Sequence, residues 1–433
     1  MKITILGAGI IGVSTAWHLL ERGHEVTVVD RQSDAALETS FANAAQISVS
    51  YCEPWANREA PLKALKWMFS KEAPLLFRPQ NPLGAGWLQY RWGLEFLANC
   101  NDRAFERNVQ QLVALGSYSH TALKEIVEAT GIEYNRLEKG IAHYYTDHQS
   151  FDTAAEAAAL MAKYGVNRRV VSKEELLKIE PAFTQYGDHI VGGTFTASDE
   201  SGDALVFTQE LAKRCQARGA QFLWNHDVVR LNATGAGIDS VTVSDQATGV
   251  PRFLHADQFV LAMGSYTAPL LREVGVHLPI YPGKGYSATF QILKPELAPQ
   301  VSLLDDSVKC AISRLGDQLR IAGTIEVGGY DLTLDSPLAR ARCEMLARRI
   351  ETVFPGVCDT RLAEQGGNPN FWTGLRPATP TNIPYIGKTQ VGKLWVNAGH
   401  GTLGWTHGAG SGKAIAELIS GQRPAMQFGF YGV

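Results

Sequence analysis

The chain opens on a nearly continuous apolar run, Ile3-Thr4-Ile5-Leu6, which reads as a short buried strand. A glycine-spaced turn, Gly7-Ala8-Gly9-Ile10-Ile11-Gly12, leads into apolar positions at helical spacing from Val13 to Arg22. Gly23 stops that helix, and Glu25-Val26-Thr27-Val28-Val29 reads as a second strand closing on Asp30. Strand, glycine turn, helix, strand and acid in one unit form the pattern of a βαβ dinucleotide site. Gly7 permits the tight turn, Gly9 leaves backbone open to a diphosphate, and Gly12 lets the helix lie close on the sheet. Asp30, 18 residues past Gly12, is placed to accept hydrogen bonds from a ribose diol. Arg31 beside it reads as a surface arginine or as a partner for a 2′-phosphate. The pattern does not separate FAD from NAD.

Beyond Asp30 the rhythm is less regular. Leu37 to Gln46 is small and polar, and its Ser40 and Asn43 can cap a helix or hydrogen-bond a bound phosphate or flavin. Between Tyr51 and Cys100 the chain is rich in tryptophan, proline and leucine. There Lys63 to Phe69 reads as an amphipathic helix, and Trp87, Tyr90, Trp92 and Phe96 follow at near-helical spacing. Such a stretch serves as core or domain contact, as a lid over a pocket, or as a patch on a bilayer surface. Helices are expected over Asp102–Glu128, Thr153–Tyr164, Thr208–Arg218, Ala339–Phe354 and Gly408–Ile419, each followed by a stop glycine. Strands are expected at Gln221–Trp224, Asp227–Leu231 and Leu394–Asn397. Phe259 to Gly264 echoes the opening strand and turn, as if the same sheet resumes. Leu278 to Gly329 is strand-rich, with turn glycines expected at 283, 285, 316, 323, 328 and 329, and suits an antiparallel sheet.

The fold class that follows is α/β: a Rossmann-like nucleotide-binding domain interleaved with an α+β second domain. The expected division is 1–100 for the first nucleotide-domain part, with an apolar insert near 51–100, and 101–151 for a helical part of the substrate domain. Nucleotide-domain segments follow at 152–276 and 365–433, with the antiparallel substrate sheet at 277–364 between them.

Composition narrows the function classes. The 433 residues are 45% hydrophobic and 19% charged, with net charge −3, so nucleic acid is not expected as a partner. The first strand starts within two residues of Met1, leaving no room for a signal peptide, and no apolar run reaches the roughly 20 residues of a membrane span. The expected location is therefore cytoplasmic. Six scattered cysteines fit free thiols in a reducing compartment. The eleven histidines form no ligand pattern, and His143 and His148 near a tyrosine pair read as loop or strand positions, so no metal is expected.

Two late motifs carry chemistry: Phe371-Trp372-Thr373-Gly374-Leu375-Arg376-Pro377-Ala378-Thr379-Pro380 and Asn397-Ala398-Gly399-His400-Gly401-Thr402-Leu403-Gly404-Trp405-Thr406. Together with the opening turn, the Ser40-x-x-Asn43 segment, Pro61 to Met68 and Lys284-Gly285-Tyr286-Ser287, they resemble the FAD-dependent amine and amino acid oxidoreductases. That family includes glycine oxidase and D-amino acid oxidase, and the likeness is to its branch of D-amino acid dehydrogenase small subunits. It runs nearly end to end. One departure stands out: Ala45 occupies a position where the family often has glycine, and a positive φ there would cost alanine roughly 1 kcal/mol.

The resemblance implies FAD as cofactor, held by Gly7 to Gly12, Asp30, Arg31, Ser40, Asn43, Ala44, Gln46, Val228, Ala262, Gly264 and Gly401 to Thr406. It implies oxidative deamination of D-amino acids such as D-alanine to 2-oxo acids and ammonia. Hydride passes from Cα to flavin N5, and electrons go on to a quinone-type or other carrier. Arg376 is suited to the substrate carboxylate, because a guanidinium fork matches its two oxygens. An ordinary ion pair at a strand end is its other reading. Tyr286 and Lys284 are candidate substrate contacts, and Tyr286 and His400 candidate catalytic groups. A tyrosine on a strand otherwise packs, and His400 otherwise shapes a loop. Peripheral inner-membrane contact and a homo- or hetero-oligomer are compatible partners. The rivals are a sister enzyme for D-hydroxyproline, sarcosine or glycine, an NAD-dependent dehydrogenase, and a non-catalytic subunit that merely holds FAD.

Overall fold

The opening run becomes β1 (Lys2–Leu6), a central strand of a six-stranded sheet with β2 (Glu25–Val29), β9 (Gln221–Leu223), β13 (Gln258–Leu261), β19 (Tyr385–Lys388) and β20 (Leu394–Ala398). Their order is β19-β20-β13-β1-β2-β9, parallel throughout except for β19 against β20. Parallel strands covered on both faces need apolar side chains on both, which is why these segments read as short apolar runs. The computed structural model describes residues 1–62, 75–81, 86–360 and 370–429. The helix expected at Lys63–Phe69 lies outside these.

One face of the sheet is covered by α1 (Ile10–Glu21), which packs beside two later helices. Counting along the chain, α2 (Trp87–Ala98), α3 (Asp102–Thr130), α4 (Ala154–Lys163), α5 (Ala204–Ala217), α6 (Pro337–Val353) and α7 (Gly404–Ile419) follow. Val13, Ala16, Phe207, Leu211, Ala409 and Ile415 join α1, α5 and α7 in one core, and α3 lies against α7. The other face is covered by a three-stranded meander of β10 (His226–Thr234), β11 (Gly237–Asp245) and β12 (Pro251–Leu254). α5 begins four residues before the expected Thr208, because the Asp203 carboxylate accepts from the Leu205 and Val206 N–H groups and caps it there. α7 likewise begins at Gly404, one turn before the expected Gly408.

The second sheet runs β18 (Phe371–Ala378), β14 (Tyr281–Gln291), β17 (Gln318–Val327), β16 (Cys310–Leu315), β15 (Ser302–Asp305), β5 (Ile141–Tyr145), β7 (Gly192–Thr196) and β6 (Arg169–Ser172), with β4 (Leu75–Phe77) added on β17. A short ladder of β3 (Gln46–Ile47) with β8 (Glu200–Ser201) stands apart. The nine-stranded sheet is mixed rather than antiparallel, since β15 runs parallel to β5 and β17 parallel to β4. α6 covers one face through Ala339, Cys343, Leu346 and Ile350.

The division of the chain differs from expectation in three places. β6 and β7 lie within 152–276 yet hydrogen-bond into the nine-stranded sheet. β18 lies within 365–433 yet pairs with β14. α3, expected with the substrate domain, packs on the nucleotide-domain helix α7. Edge hydrogen bonding and face complementarity decide these partners, and neither has a local sequence signal. Gly283, Gly285 and Gly323 are also not turn glycines but strand residues, where a Cβ would meet the side chains of Ile325, Arg376 and Cys310 respectively.

Candidate active site

One cavity of about 1540 Å³ runs between the two sheets, from the carboxyl ends of β1 and β2 to the uncovered face of the nine-stranded sheet. At its amino-terminal end the turn glycines do separate jobs. A Cβ on Gly7 (φ +106) would lie 2.5 Å from the Ala262 carbonyl oxygen, and one on Gly12 would lie 1.9 Å from that of Gly7. Gly9 differs: its Cβ would approach only the Ser40 hydroxyl, at 3.4 Å, and would otherwise project into free space. Gly9 also gives α1 no side-chain cap, so the first-turn N–H groups after Ile10 and the positive helix end remain for an anion. Ser40 Oγ accepts from the Ile10 N–H at 3.2 Å, so it attends the start of α1 and opens no helix of its own.

Asp30 accepts from the Ala8 and Gln32 N–H groups at 2.6 and 2.9 Å; burial raises its pKa and those two donors oppose the rise. Arg31 pairs with Glu38 and stacks 4.1 Å over the Tyr266 ring, so its charge is already matched, which disfavours a 2′-phosphate role. Val228, Ala262 and Gly264 line the same end, as do Gly7, Gly9, Ile10 and Ile11, whereas Ala8 and Gly12 shape the turn from behind.

The loop from Ser40 to Gln46 ties the two sheets together. Asn43 Oδ1 accepts from the Ala45 N–H at 2.8 Å, a local turn that holds Ala45 at φ +59. The conformation expected to be costly for alanine is therefore the one adopted. The Ala44 carbonyl accepts from the Ser313 hydroxyl, and Gln46 Nε2 donates to Ser302 Oγ and the Leu303 carbonyl. Across the cavity, Gly401 to Thr406 form the start of α7. Trp405 Nε1 donates to the Gly202 carbonyl and Thr406 Oγ1 accepts from the Ser48 N–H, so both side chains fix the loop and leave backbone toward the cavity. His400 hydrogen-bonds Ser411 at 3.1 Å, and burial pushes its pKa down to about 3. A neutral imidazole of such low basicity is a poor general base.

The wall facing this loop comes from the nine-stranded sheet. Side chains alternate across a strand, so Gly374 and Arg376 of β18 share the cavity face with Gly285 of β14. Arg376 lies flat over that face: a Cβ on Gly285 would sit 2.0 Å from its Nη1. A Cβ on Gly374 would likewise strike the Trp372 ring at 2.1 Å. These glycines interrupt the strands because large side chains recline on them. Arg376 Nη1 donates to the Thr324 carbonyl at 2.8 Å, and among the described residues no carboxylate forms an ion pair with it. Burial lowers its pKa to about 10.

The same alternation turns Lys284 and the Tyr286 hydroxyl away. Tyr286 donates its hydroxyl to Glu326 at 2.9 Å, and its ring lies beside Arg342 of α6 and the Lys284 ammonium. Lys284 donates to the Thr333 carbonyl and does not line the cavity. Lys284 thus packs on the α6 face, away from its expected place among the substrate contacts, whereas Tyr286 borders the cavity with its hydroxyl already given to Glu326. Sequence reading missed a polar cluster at the far end of the cavity. There Arg168 pairs with Glu53 at 2.7 Å, and its Nη2 donates to His143 Nδ1, leaving His143 Nε2 to face Asp306. Only parity along β5, where His143 and Tyr145 share a face, could have signalled it. Among the described residues no group of His, Cys, Asp and Glu is arranged to hold a metal.

A glycine turn at one helix start, a buried acid at the next strand end and a second helix start thus meet on one cavity, the arrangement expected of a dinucleotide-binding enzyme. The chain matches the family model described as FAD dependent oxidoreductase over residues 2–418, and it belongs to that family. A D-amino acid dehydrogenase of Dechloromonas aromatica (strain RCB) is 47% identical to it over 99% of both chains. One of Methylobacterium radiotolerans is 42% identical over 98% of this chain and 97% of its own. Among solved structures, glycine oxidase from Geobacillus kaustophilus shares the fold with a TM-score of 0.72 at 21% identity, covering 98% of this chain and 96% of that one. L-proline dehydrogenase from P. horikoshii gives 0.73 at 17%, over 98% and 95%.

Proposed function

We propose that the chain is a D-amino acid dehydrogenase, oxidising D-amino acids such as D-alanine to imino acids that water hydrolyses to 2-oxo acids and ammonia. The observation that carries the reading is Arg376: a guanidinium fixed on a glycine floor, open to the cavity and without an acidic partner among the described residues. It is a receptor for a carboxylate, and its bond to the Thr324 carbonyl holds the fork in one orientation. Gly9 to Ile11 would hold the diphosphate of FAD, which would supply the hydride acceptor for the Cα–H bond. The uncapped start of α7 stabilises negative charge that builds beside it during reduction. Cα–H cleavage as hydride needs the amine neutral and no side-chain base, which agrees with the low basicity of His400.

A quinone-type acceptor and peripheral contact with the inner membrane complete the reading. Leu62, Trp87, Leu94 and Leu97 are 53–68% exposed, and α2 carries the last three beside Tyr90, Trp92 and Phe96, which line the cavity. No helix among the described residues is long and apolar enough to cross a membrane.

The test is anaerobic titration of the flavin-loaded protein with D- and L-amino acids, glycine, sarcosine and D-hydroxyproline. Bleaching of the visible flavin band by D-alanine and not L-alanine is expected. Bleaching by sarcosine or glycine alone would reassign the substrate, and none by any of them would leave a flavin-holding subunit.

A further inference from the structure

Strand register lays out the floor of the cavity. Ala322 of β17 lies opposite Ala311 of β16, Ala311 opposite Leu304 of β15, and Leu304 opposite His143 of β5. All four border the cavity, so they form one transverse row on its face of the sheet. Three strand spacings of roughly 4.8 Å make the row about 14 Å long. Beside Ala322, on the same strand, the Thr324 carbonyl holds Arg376. The middle of the row is apolar, and its other end meets the cluster of Arg168, Glu53, His143 and Asp306.

That cluster offers acceptors rather than donors. Every N–H of Arg168 is matched: Nε by the Thr194 hydroxyl, Nη1 by Glu53 and the Ser50 carbonyl, Nη2 by His143 and the Tyr145 hydroxyl. Arg168 therefore has nothing left for an anion and serves to hold its neighbours. The two carboxylates differ from it. Among the described residues the Glu53 side chain accepts only through Oε1, and that of Asp306 only through Oδ1, from His143 and Lys309. Both residues border the cavity, with side chains 28% and 10% exposed. The second oxygen of each is unbonded, yet neither belongs to the enclosed polar atoms that lack a partner.

We propose that Glu53 and Asp306 receive the cationic head of a long substrate side chain, so that D-lysine and D-arginine are preferred to apolar D-amino acids of equal length. The six bonds between the carboxyl carbon and Nζ of lysine span about 7–8 Å, and a hydrogen bond of roughly 3 Å at each end brings its reach close to the length of the row. The methylenes lie on Ala322, Ala311 and Leu304, and the ammonium donates to Glu53 Oε2 and Asp306 Oδ2. Such charge-assisted bonds replace the water that the head group gives up on entering the cavity. Arg168 keeps the Glu53 carboxylate turned to the cavity by bonding its other oxygen. The inference rests on the reading of Arg376 as the carboxylate receptor.

The test uses the flavin-loaded enzyme with an artificial dye as acceptor, and compares D-lysine with D-norleucine, which has the same carbon chain without the ammonium. The unmutated enzyme is expected to favour D-lysine by about tenfold or more in kcat/KM, mostly through KM. Glu53→Gln keeps the shape and the bond from Arg168 while removing the charge, and should bring that ratio to within about twofold of unity. Asp306→Asn changes a different segment, should lower the ratio by about threefold or more, and guards against misfolding of the first variant. Bound flavin, read from the visible spectrum, reports that each variant is folded. A ratio near one in the unmutated enzyme, a preference for D-glutamate over both substrates, or an unchanged ratio in either folded variant overturns the assignment. Failure of D-alanine, D-lysine and D-norleucine alike to reduce the flavin is a different result: it overturns the reading of the chain as a D-amino acid dehydrogenase, and this inference with it.

Discussion

The two ends of the cavity are built on opposite plans. The end proposed for the diphosphate is local: Gly7, Gly9 and Gly12 sit within one turn, where crowding backbone dictates Gly7 and Gly12 and Gly9 leaves open space. The proposed carboxylate end is assembled from β14, β17 and β18, with Arg376 lying on Gly285, 91 positions earlier in the chain, and held by the Thr324 carbonyl. A local site tolerates little change because backbone crowds it, while an assembled one fails only where a side chain meets its ligand. The glycines make the contrast concrete: that of Gly12 excludes a Cβ for the helix's sake, that of Gly285 for an arginine's.

Replacing Gly9 tests the local end most severely. Gly9→Val has room to fold, since its Cβ meets only Ser40, but the side chain enters the space of the diphosphate. Flavin affinity should fall by about 100-fold or more, with the apoprotein still cooperatively folded. Fully flavinylated Gly9→Val protein would move the diphosphate elsewhere. At the assembled end, Arg376→Lys keeps the charge and loses the fork, so kcat/KM should drop by about 30- to 100-fold, mostly through KM, with flavin content unchanged. Unaltered kinetics would take Arg376 out of the pocket.

Three buried histidines give a smaller effect that depends on pH. His143, His400 and His407 are held neutral by burial, with pKa values of about 4, 3 and 3 against 6.5 in the unfolded chain. The unfolded state therefore binds more protons below pH 6.5, and stability falls as pH drops from there toward those lower values. Each histidine contributes up to about 2 kcal/mol of this loss at pH 5. Tm should be lower at pH 5 than at pH 7.5, and His400→Gln should flatten the slope in differential scanning fluorimetry. The same variant should keep kcat within about threefold, against the 100-fold or greater loss expected for a general base. The smallest effect belongs to Ala45→Gly, which relieves the φ of +59 and should raise stability by about 0.5–1 kcal/mol. A lower Tm for that variant would mean that the Asn43 turn, not glycine-like freedom, sets the loop.

The strand–turn–helix unit was legible because its constraints act between near neighbours. Arg376, the proposed carboxylate receptor, was legible only as a residue type, and the surroundings of its neighbours were not: Lys284 lies outside the cavity, and Tyr286 borders it with its hydroxyl held by Glu326. Parity along β14 sets both apart from Gly285, but nothing in the sequence marks which parity is the cavity's. The far cluster of Arg168, Glu53, His143 and Asp306 escaped for the same reason, since its members come from four separated segments.

By itself, the sequence determined the dinucleotide turn, the helices that stop at glycines, and the presence of an arginine fit for a carboxylate. Tertiary structure decided which face of the nine-stranded sheet meets the cavity, where β6, β7 and β18 pair, and that Thr324 is bent toward Arg376. Turns and helix ends satisfy hydrogen bonds within a few residues, so their demands are written in adjacent positions. A sheet satisfies its own across strands from anywhere in the chain, and only the folded partner fixes which side of each strand becomes the active site.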